Sequence, residues 1–440
     1  MLMKIRALTR QVLPVITVCL FCRADVLGES ATNKTVPQVR SAESFKDLTA
    51  DGAWCWFADP RAVHYEGNYK RTYVGWVNKA GDIMIASCDC QTQTTASVTI
   101  KAKLQYDDHA NPAILIRGDG RLMVFYSRHG DKQAMFYRIS SRPEDISSWG
   151  PEMRIETNTD GKYGFTYPNP VLLSAEDNTI YLFFRGGSFK PAFSTSKDGI
   201  NWSRARTLIE GPGARPYMKL ESNGIDKIHF AFTDGHPRNE PANCIYYACY
   251  YNGAIYKADA TKIMDMARLP IQPAQADKVY DAAVAGARAW IWDIAVDSSG
   301  CPVIVYAAFI NETDHRYRYA RWTGGNWRDF EIVAAGRWFP QTPADGIEKE
   351  TYYSGGITLD HDNPSIVYLA RQVNGVFEID RYVTANGGAD WSSEPITRGS
   401  KKNNVRPVVP RNHKPPGPGL IWMHGDYVFY TDYDTALKFR

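Results

Sequence analysis

The sequence predicts an all-β fold, a seven-bladed β-propeller of four-stranded antiparallel blades, and three observations carry that reading. One pattern recurs along the chain: a polar or aromatic residue beside Pro or Gly, an apolar strand, a Gly/Asp/Asn turn, a second strand and another polar residue. The units follow one another at intervals of roughly 50 to 75 residues, the size of a blade with its loops. No Pro/Ser-rich linker or charge block divides the 440 residues, and a closed ring accounts for one domain of that length.

In chain order, Lys4, Arg6 and Arg10 precede the apolar run Val12 to Cys22 and the small residue Ala24, the layout of a secretory signal peptide. Residues 1–24 are therefore read as signal peptide, 25–43 as an N-terminal extension and 44–440 as the propeller. The apolar run is too short to span a membrane. Bulky Val18 and Phe21 do not suit lipid attachment, so the expected location is periplasmic or secreted. The polar stretch Ser41 to Ala53 is expected to add an outer strand to the last blade and close the ring.

The seven inner hairpins are expected at Asp59 to Trp76, Tyr106 to Gly130, Tyr167 to Arg185, Arg215 to Asp234 and His236, Trp292 to Asn311, Tyr353 to Arg371, and Arg406 to His424. In the second, Gly118-Asp119-Gly120 separates the runs Ala113 to Ile116 and Leu122 to Tyr126. His109 and His129 then share one edge beside Asp107, Asp108 and Arg128. His64 lies by the turn Glu66-Gly67-Asn68, at the opposite rim, where a solvated turn residue is the plain expectation. Ser196 to Trp202 and Thr384 to Trp391 resemble the Asp-box turns of sialidase-type propellers, which are structural. The span Ile255 to Ala287 is the least regular, with a short helix expected over Ala258 to Met266.

Aromatics make up 13% of the chain, suiting β-strands and sugar-facing surfaces, and a net charge of +3 without a Lys/Arg run argues against nucleic acid. Beyond the leader remain Cys55, Cys88, Cys90, Cys244, Cys249 and Cys301, an even number that an oxidising compartment could pair. Buried thiols or one or two disulfides are the plainer reading. Cys88-Asp89-Cys90 with a neighbouring His could instead hold a metal such as Zn, and Asp107 and Asp108 a structural Ca²⁺.

Arranged radially, the open hairpin ends converge on a mouth with His109, His129, Tyr167, Arg185, Arg215, Tyr217, His236, Tyr353, Arg371, Arg406 and His424. No facing carboxylate pair of the kind an ordinary glycosidase needs is evident. His, Tyr and Arg together suit removal of a proton α to a carboxylate. An Arg neutralises a uronate, a neutral His or Tyr takes the C5 proton, and a Tyr or His protonates the departing O4. Such an elimination requires no metal or cofactor.

The stretches WCWFADPRAV, DDHANPAILIRGDGRLMVFYSRHG and TYPNP resemble the BNR-repeat seven-bladed propellers that include ulvan lyases and rhamnosyl-glucuronate lyases. The resemblance implies catalytic roles for His109, Tyr167 and Arg185, with His129 in support and Ala110 where many relatives carry Asn. It implies an acidic, rhamnose- and glucuronate-containing glycan as substrate and a monomeric enzyme. The related α-L-rhamnosidases, which use a lone His on the opposite face, make His64 the alternative catalytic residue. A non-catalytic glycan-binding propeller is the third reading. A sialidase's arginine triad cannot be assembled from the spacing.

Overall fold

The computed structural model describes residues 45–130, 134–156, 161, 164–213, 215–337 and 350–440. The expected signal peptide and extension lie outside the described residues. Residues 44–440 form one compact unit of seven antiparallel sheets, six of four strands and one of six. The first described strand, Lys46–Thr49, pairs with the last, Asp432–Phe439, so the two share the last blade and no edge opens between first and last.

Within a blade the second strand is sandwiched between strands and, through both faces, between blades, so it reads as a continuous apolar run. All of Leu122–Tyr126 is buried. The outermost strand meets water, and Ser392–Pro395 is exposed throughout. Gly120, at φ +77, makes the tight turn in the second blade that returns the chain toward His129. The Asp-box turns are structural as expected. Asp198 Oδ1 accepts from the N–H groups of Ile200 and Asn201, each at 2.8 Å, while Trp202 packs edge-on against Phe125.

Residues 53–61 do more than open the first blade, because they run through the ring and fasten to most of its blades. The Cys55 N–H donates to Asn111 Oδ1 at 3.1 Å and the Asp59 N–H to Asn169 Oδ1 at 3.2 Å. The Trp54 indole donates to the Arg406 carbonyl at 3.1 Å and the Trp56 indole to the Ile291 carbonyl at 3.2 Å. Lys219 reaches the Trp56 carbonyl and Asp59. The Asn-Pro pairs of the second and third blades are thus anchors for this axial segment, which separates two cavities at opposite ends of the ring.

The structure corrects several expectations. Ala258 to Asp265 is not helical, and only a single 3-10 turn, Met266–Arg268, follows: Ala254–Tyr256 and Lys262–Asp265 extend the fourth blade outward, turning at Asn252-Gly253 and Ala260, all with left-handed φ. Pairing to the open edge of Ile245–Tyr251 satisfies backbone groups that an isolated helical turn would not. His64 is buried rather than solvated, its Nδ1 3.1 Å from Thr72 Oγ1 on the neighbouring strand. The six cysteines, in contrast, meet the buried-thiol expectation, being free and five of them buried. Among the described residues no helix is long and apolar enough to cross a membrane.

Candidate active site

At one end of the ring lies a cavity of about 260 Å³ whose floor is the axial segment at Cys55, Trp56 and Phe57. Its first wall is built from a single helical turn, Asp108–Ala110, capped by Asp107, whose Oδ1 accepts from the His109 N–H at 2.9 Å. The same Oδ1 lies 2.8 Å from His109 Nδ1, and Asp107 Oδ2 lies 2.8 Å from His129 Nδ1. Hairpin geometry, with the His129 N–H donating to Gln105 Oε1 at 2.8 Å, brings the two rings into a stack 4.1 Å apart and 8° from parallel. Tyr430 meets both rings edge-on, at 4.9 and 5.6 Å.

The electrostatics separate the two histidines. Burial disfavours charge on His109, and the Cys55 thiol, itself pushed up by burial, is uncharged at neutral pH; the Asp108 and Asp107 carboxylates, the former within 2.9 Å, raise this imidazole well above its usual value. Burial, and then the neighbouring His109 charge, push His129 down to about 4. Burial works against the Asp107 carboxylate, yet the two histidines hold it below the usual range.

Across the cavity, Arg185 is 6% exposed, and its guanidinium sits 4.6 Å over the Tyr167 ring and 5.2 Å from Phe189. It donates to the Gly164 carbonyl and, at 3.4 Å, to the Tyr217 hydroxyl. No carboxylate pairs with it among the described residues. Arg406 is the opposite case: Asp108, the Tyr427 hydroxyl, the Trp54 carbonyl and Ser354 occupy all three of its guanidinium nitrogens. It lines the cavity as a buried support for Asp108, not as a cation open to a ligand. Tyr167 is 37° from parallel to His109 with centroids 5.7 Å apart, and burial raises its hydroxyl well above the usual range despite Arg185.

Tyr167, Arg215 and Arg406 each precede a proline and each adopt a left-handed φ, of 62, 65 and 51°. A non-glycine residue held there costs of order 1–3 kcal/mol and persists only where its surroundings impose it. Here the kink turns each side chain out of the blade and into the mouth.

The cavity also gathers Arg215, Tyr217, His236 and Tyr353, as expected. Arg215 lies 4.2 Å over Phe189, and burial followed by Arg215 and Arg238 pushes His236 down to about 3. Two residues are not brought in. Arg371 continues its strand past the Ile357–Leu359 pairing and alternates to the blade face, where Asp380 takes its Nε at 2.8 Å. His424 opposes Asn404 ahead of the bulge between Val405 and Val408, and its Nδ1 stays 2.8 Å from Asn404 Oδ1. The strand continues to Phe429, so its true mouth end is Phe429 and Tyr430. Sequence reasoning missed Tyr430, Phe189, Trp290 and Glu350; the aromatic pair in the Phe429-Tyr430 turn is the one signal that pointed there. Glu350, pushed up mainly by burial and Asp108, accepts from Tyr353 at 2.7 Å and Tyr427 at 2.6 Å.

As to metals, the Asp107 oxygens face the two imidazole Nδ1 atoms in hydrogen bonds, and Asp108 faces Arg406, a cation already occupying the place a Ca²⁺ would need. Cys90 Sγ lies 3.9 Å from His64 Nδ1 while Cys88 accepts from Thr95, so the two thiols face different partners. Asp360, Asp362 and His413 form a further group at the opposite rim, His413 Nε2 lying 3.2 Å from Asp360 Oδ1.

The opposite cavity, about 370 Å³, carries His64 as expected, but also His361. His361 is held between Glu221, at 2.8 Å, and Asp293, at 3.1 Å, while Arg411 lies 3.2 Å from Glu221. Glu221, Asp293, His361 and Arg411 thus form one connected charged group there.

Residues 71–335 match the BNR repeat-containing family. The chain belongs to that family. This BNR-repeat protein is 25% identical over 250 residues to an ulvan lyase, PL25, of Pseudoalteromonas sp. (strain PLSV), covering 51% of this chain and 48% of the relative. It is 22% identical over 239 residues to an ulvan lyase of Alteromonas sp. (strain LOR), covering 49% and 47%. The chain thus spans about half the length of the curated relatives it matches. Among solved structures, a PL25 ulvan lyase superposes with a TM-score of 0.68 at 16% identity, over 90% of this chain and 95% of that one. The polysaccharide lyase Uly1 superposes with 0.54 at 12%, over 89% and 97%. Both likenesses establish the seven-bladed fold of this BNR-repeat protein.

Proposed function

We propose that the protein is a polysaccharide lyase that cleaves a uronate-containing glycan by β-elimination in the cavity floored by Trp56 and Phe57. The observation that carries this reading is Arg185, a buried guanidinium without a carboxylate partner among the described residues, beside Tyr167 and opposite the stacked histidines. A sugar carboxylate supplies the missing partner, and its neutralisation makes the C5 hydrogen removable. His129, neutral at working pH, takes that proton through Nε2. The C5–H electron pair forms the C4=C5 double bond as the C4–O4 bond breaks. Tyr167, which burial keeps protonated, gives its proton to O4. His109, cationic beside it, stabilises the charge that builds on the uronate. Arg215, Tyr217, His236 and Tyr353 hold neighbouring sugars on the aromatic wall.

The ulvan lyase relatives support this chemistry, and one solved neighbour was described bound to -[GlcA(1-4)Rha3S]-. A rhamnose-glucuronate glycan is accordingly the substrate class we assign, met outside the cytoplasm. The test is incubation of purified protein with rhamnose- and glucuronate-containing polysaccharides. Products absorbing in the ultraviolet as unsaturated uronates are expected. Free saturated rhamnose would instead mean a hydrolase, and retention without products a binding module.

A further inference from the structure

We propose that Asp107 is the positioning residue of this site, one carboxylate that clamps both imidazoles by Nδ1 and so turns both Nε2 atoms, side by side, into the cavity. The geometry is unusual in its economy. Asp107 Oδ1 and Oδ2 each lie 2.8 Å from a different imidazole Nδ1, and Oδ1 also caps the turn that carries His109. A carboxylate only accepts, so each Nδ1 facing it must carry hydrogen. A neutral imidazole so held has its lone pair on Nε2, the less common tautomer and the one a general base in this cavity needs.

The stack itself limits the pair to one cation. Two imidazolium rings at 4.1 Å would repel strongly in a half-buried site. His109 Nδ1 faces two carboxylates, Asp107 at 2.8 Å and Asp108 at 2.9 Å, whereas His129 Nδ1 faces Asp107, so the charge settles on His109. The other groups facing the pair follow the same division. Cys55 and Glu350 bear on His109 and Tyr430 meets both rings, whereas the Arg185 charge bears on His129 and disfavours a second cation. One Nε2 then donates and its neighbour accepts. For its kinetic consequence the clamp depends on the lyase reading; for its structural consequence it does not.

Asp107→Asn tests this because it keeps the helix cap while breaking the symmetry of the clamp. An amide offers one oxygen and one N–H₂, so one ring keeps its Nδ1–H and the other must present Nδ1 as acceptor, moving its proton to Nε2. The readout is the ¹⁵N–¹H correlation spectrum of the imidazoles, with melting temperature, kcat, KM and the pH profile alongside. In the wild type both rings should carry Nδ1–H. In the variant one ring should switch to the Nε2–H tautomer, kcat should fall roughly 10² to 10⁴-fold with KM little changed, and the acid limb of the profile should move. Unchanged tautomers and rate in a folded variant, with an active wild type, overturn the clamp and leave the lyase reading standing. A switched tautomer beside a wild type that cuts no uronate glycan overturns the lyase reading and supports the clamp. Should Asp107→Asn not fold, Asp107→Ser keeps a capping oxygen but reaches neither ring, and His129 should then lose its fixed Nδ1–H form while Asp108, 2.9 Å from His109 Nδ1, still holds the other ring; retention of the fixed form on His129 overturns the proposal.

Discussion

Replacing Arg185 is the sharpest probe of the proposed chemistry, because its buried charge faces no carboxylate among the described residues, whereas that of Arg406 is held by Asp108. Opposite unit charges about 4 Å apart at an effective dielectric near 20 attract by about 4 kcal/mol. Arg185 is 6% exposed, so solvent screens this little. Some of the attraction offsets desolvation of the sugar carboxylate, which leaves about 3 kcal/mol, or roughly 10²-fold, for Arg185→Ala in kcat/KM. Arg185→Lys keeps a charge but loses the planar contact with Tyr167 and the fork that grips a carboxylate, and should recover only part of the rate. Either change should cost folding modestly, since it disturbs the hydrogen bonds to Gly164 and Tyr217 and the contacts with Tyr167 and Phe189 but orphans no carboxylate among the described residues. The assay is initial-rate absorbance of unsaturated products, with a melting curve for each variant. A folded Arg185→Ala with full kcat/KM would refute the assignment of the uronate to this cation.

The contrasting substitution is Arg406→Ala, which strands Asp108 in a buried site and should destabilise by roughly 3–5 kcal/mol, read as a lower denaturant midpoint. His64→Ala should leave lyase turnover within about twofold while costing about 1 kcal/mol of stability for the lost Thr72 contact; loss of activity with folding intact would move the site to the opposite cavity. Acid should also destabilise the fold. His129, His229 and His315 are each held near 4 and His236 near 3, chiefly by burial. Between about 6.5 and 4 the unfolded chain therefore binds more protons, and stability falls as pH drops, by up to roughly 1.4 kcal/mol per unit for each group. His109 and His413, raised in the fold, are already fully stabilising below 6.5 and do not offset this. Melting temperatures across that window that stay flat would contradict the buried neutral histidines.

The sequence by itself determined the ring. Seven strand–turn–strand units show in local periodicity and turn residues, and closure through Lys46–Thr49 follows from a leftover polar stretch that has to cover an edge. It also determined which rim His109, His129, Tyr167 and Arg185 occupy, since an antiparallel hairpin fixes which ends meet. Tertiary structure alone decided what each polar residue does there. Arg185 and Arg406 read alike as X-strand-end arginines, but whether a carboxylate from another blade lies against the guanidinium depends on contacts across 298 residues, between Asp108 and Arg406. His424 and Arg371 fell outside the cavity because one bulge and one residue of strand overrun change the face a side chain takes, and neither leaves a mark in composition. The axial segment at Trp54 to Asp59 was legible as a conspicuous aromatic run, yet its role in dividing the channel was not. A segment fixed by hydrogen bonds to several blades at once exists only when the ring has closed around it.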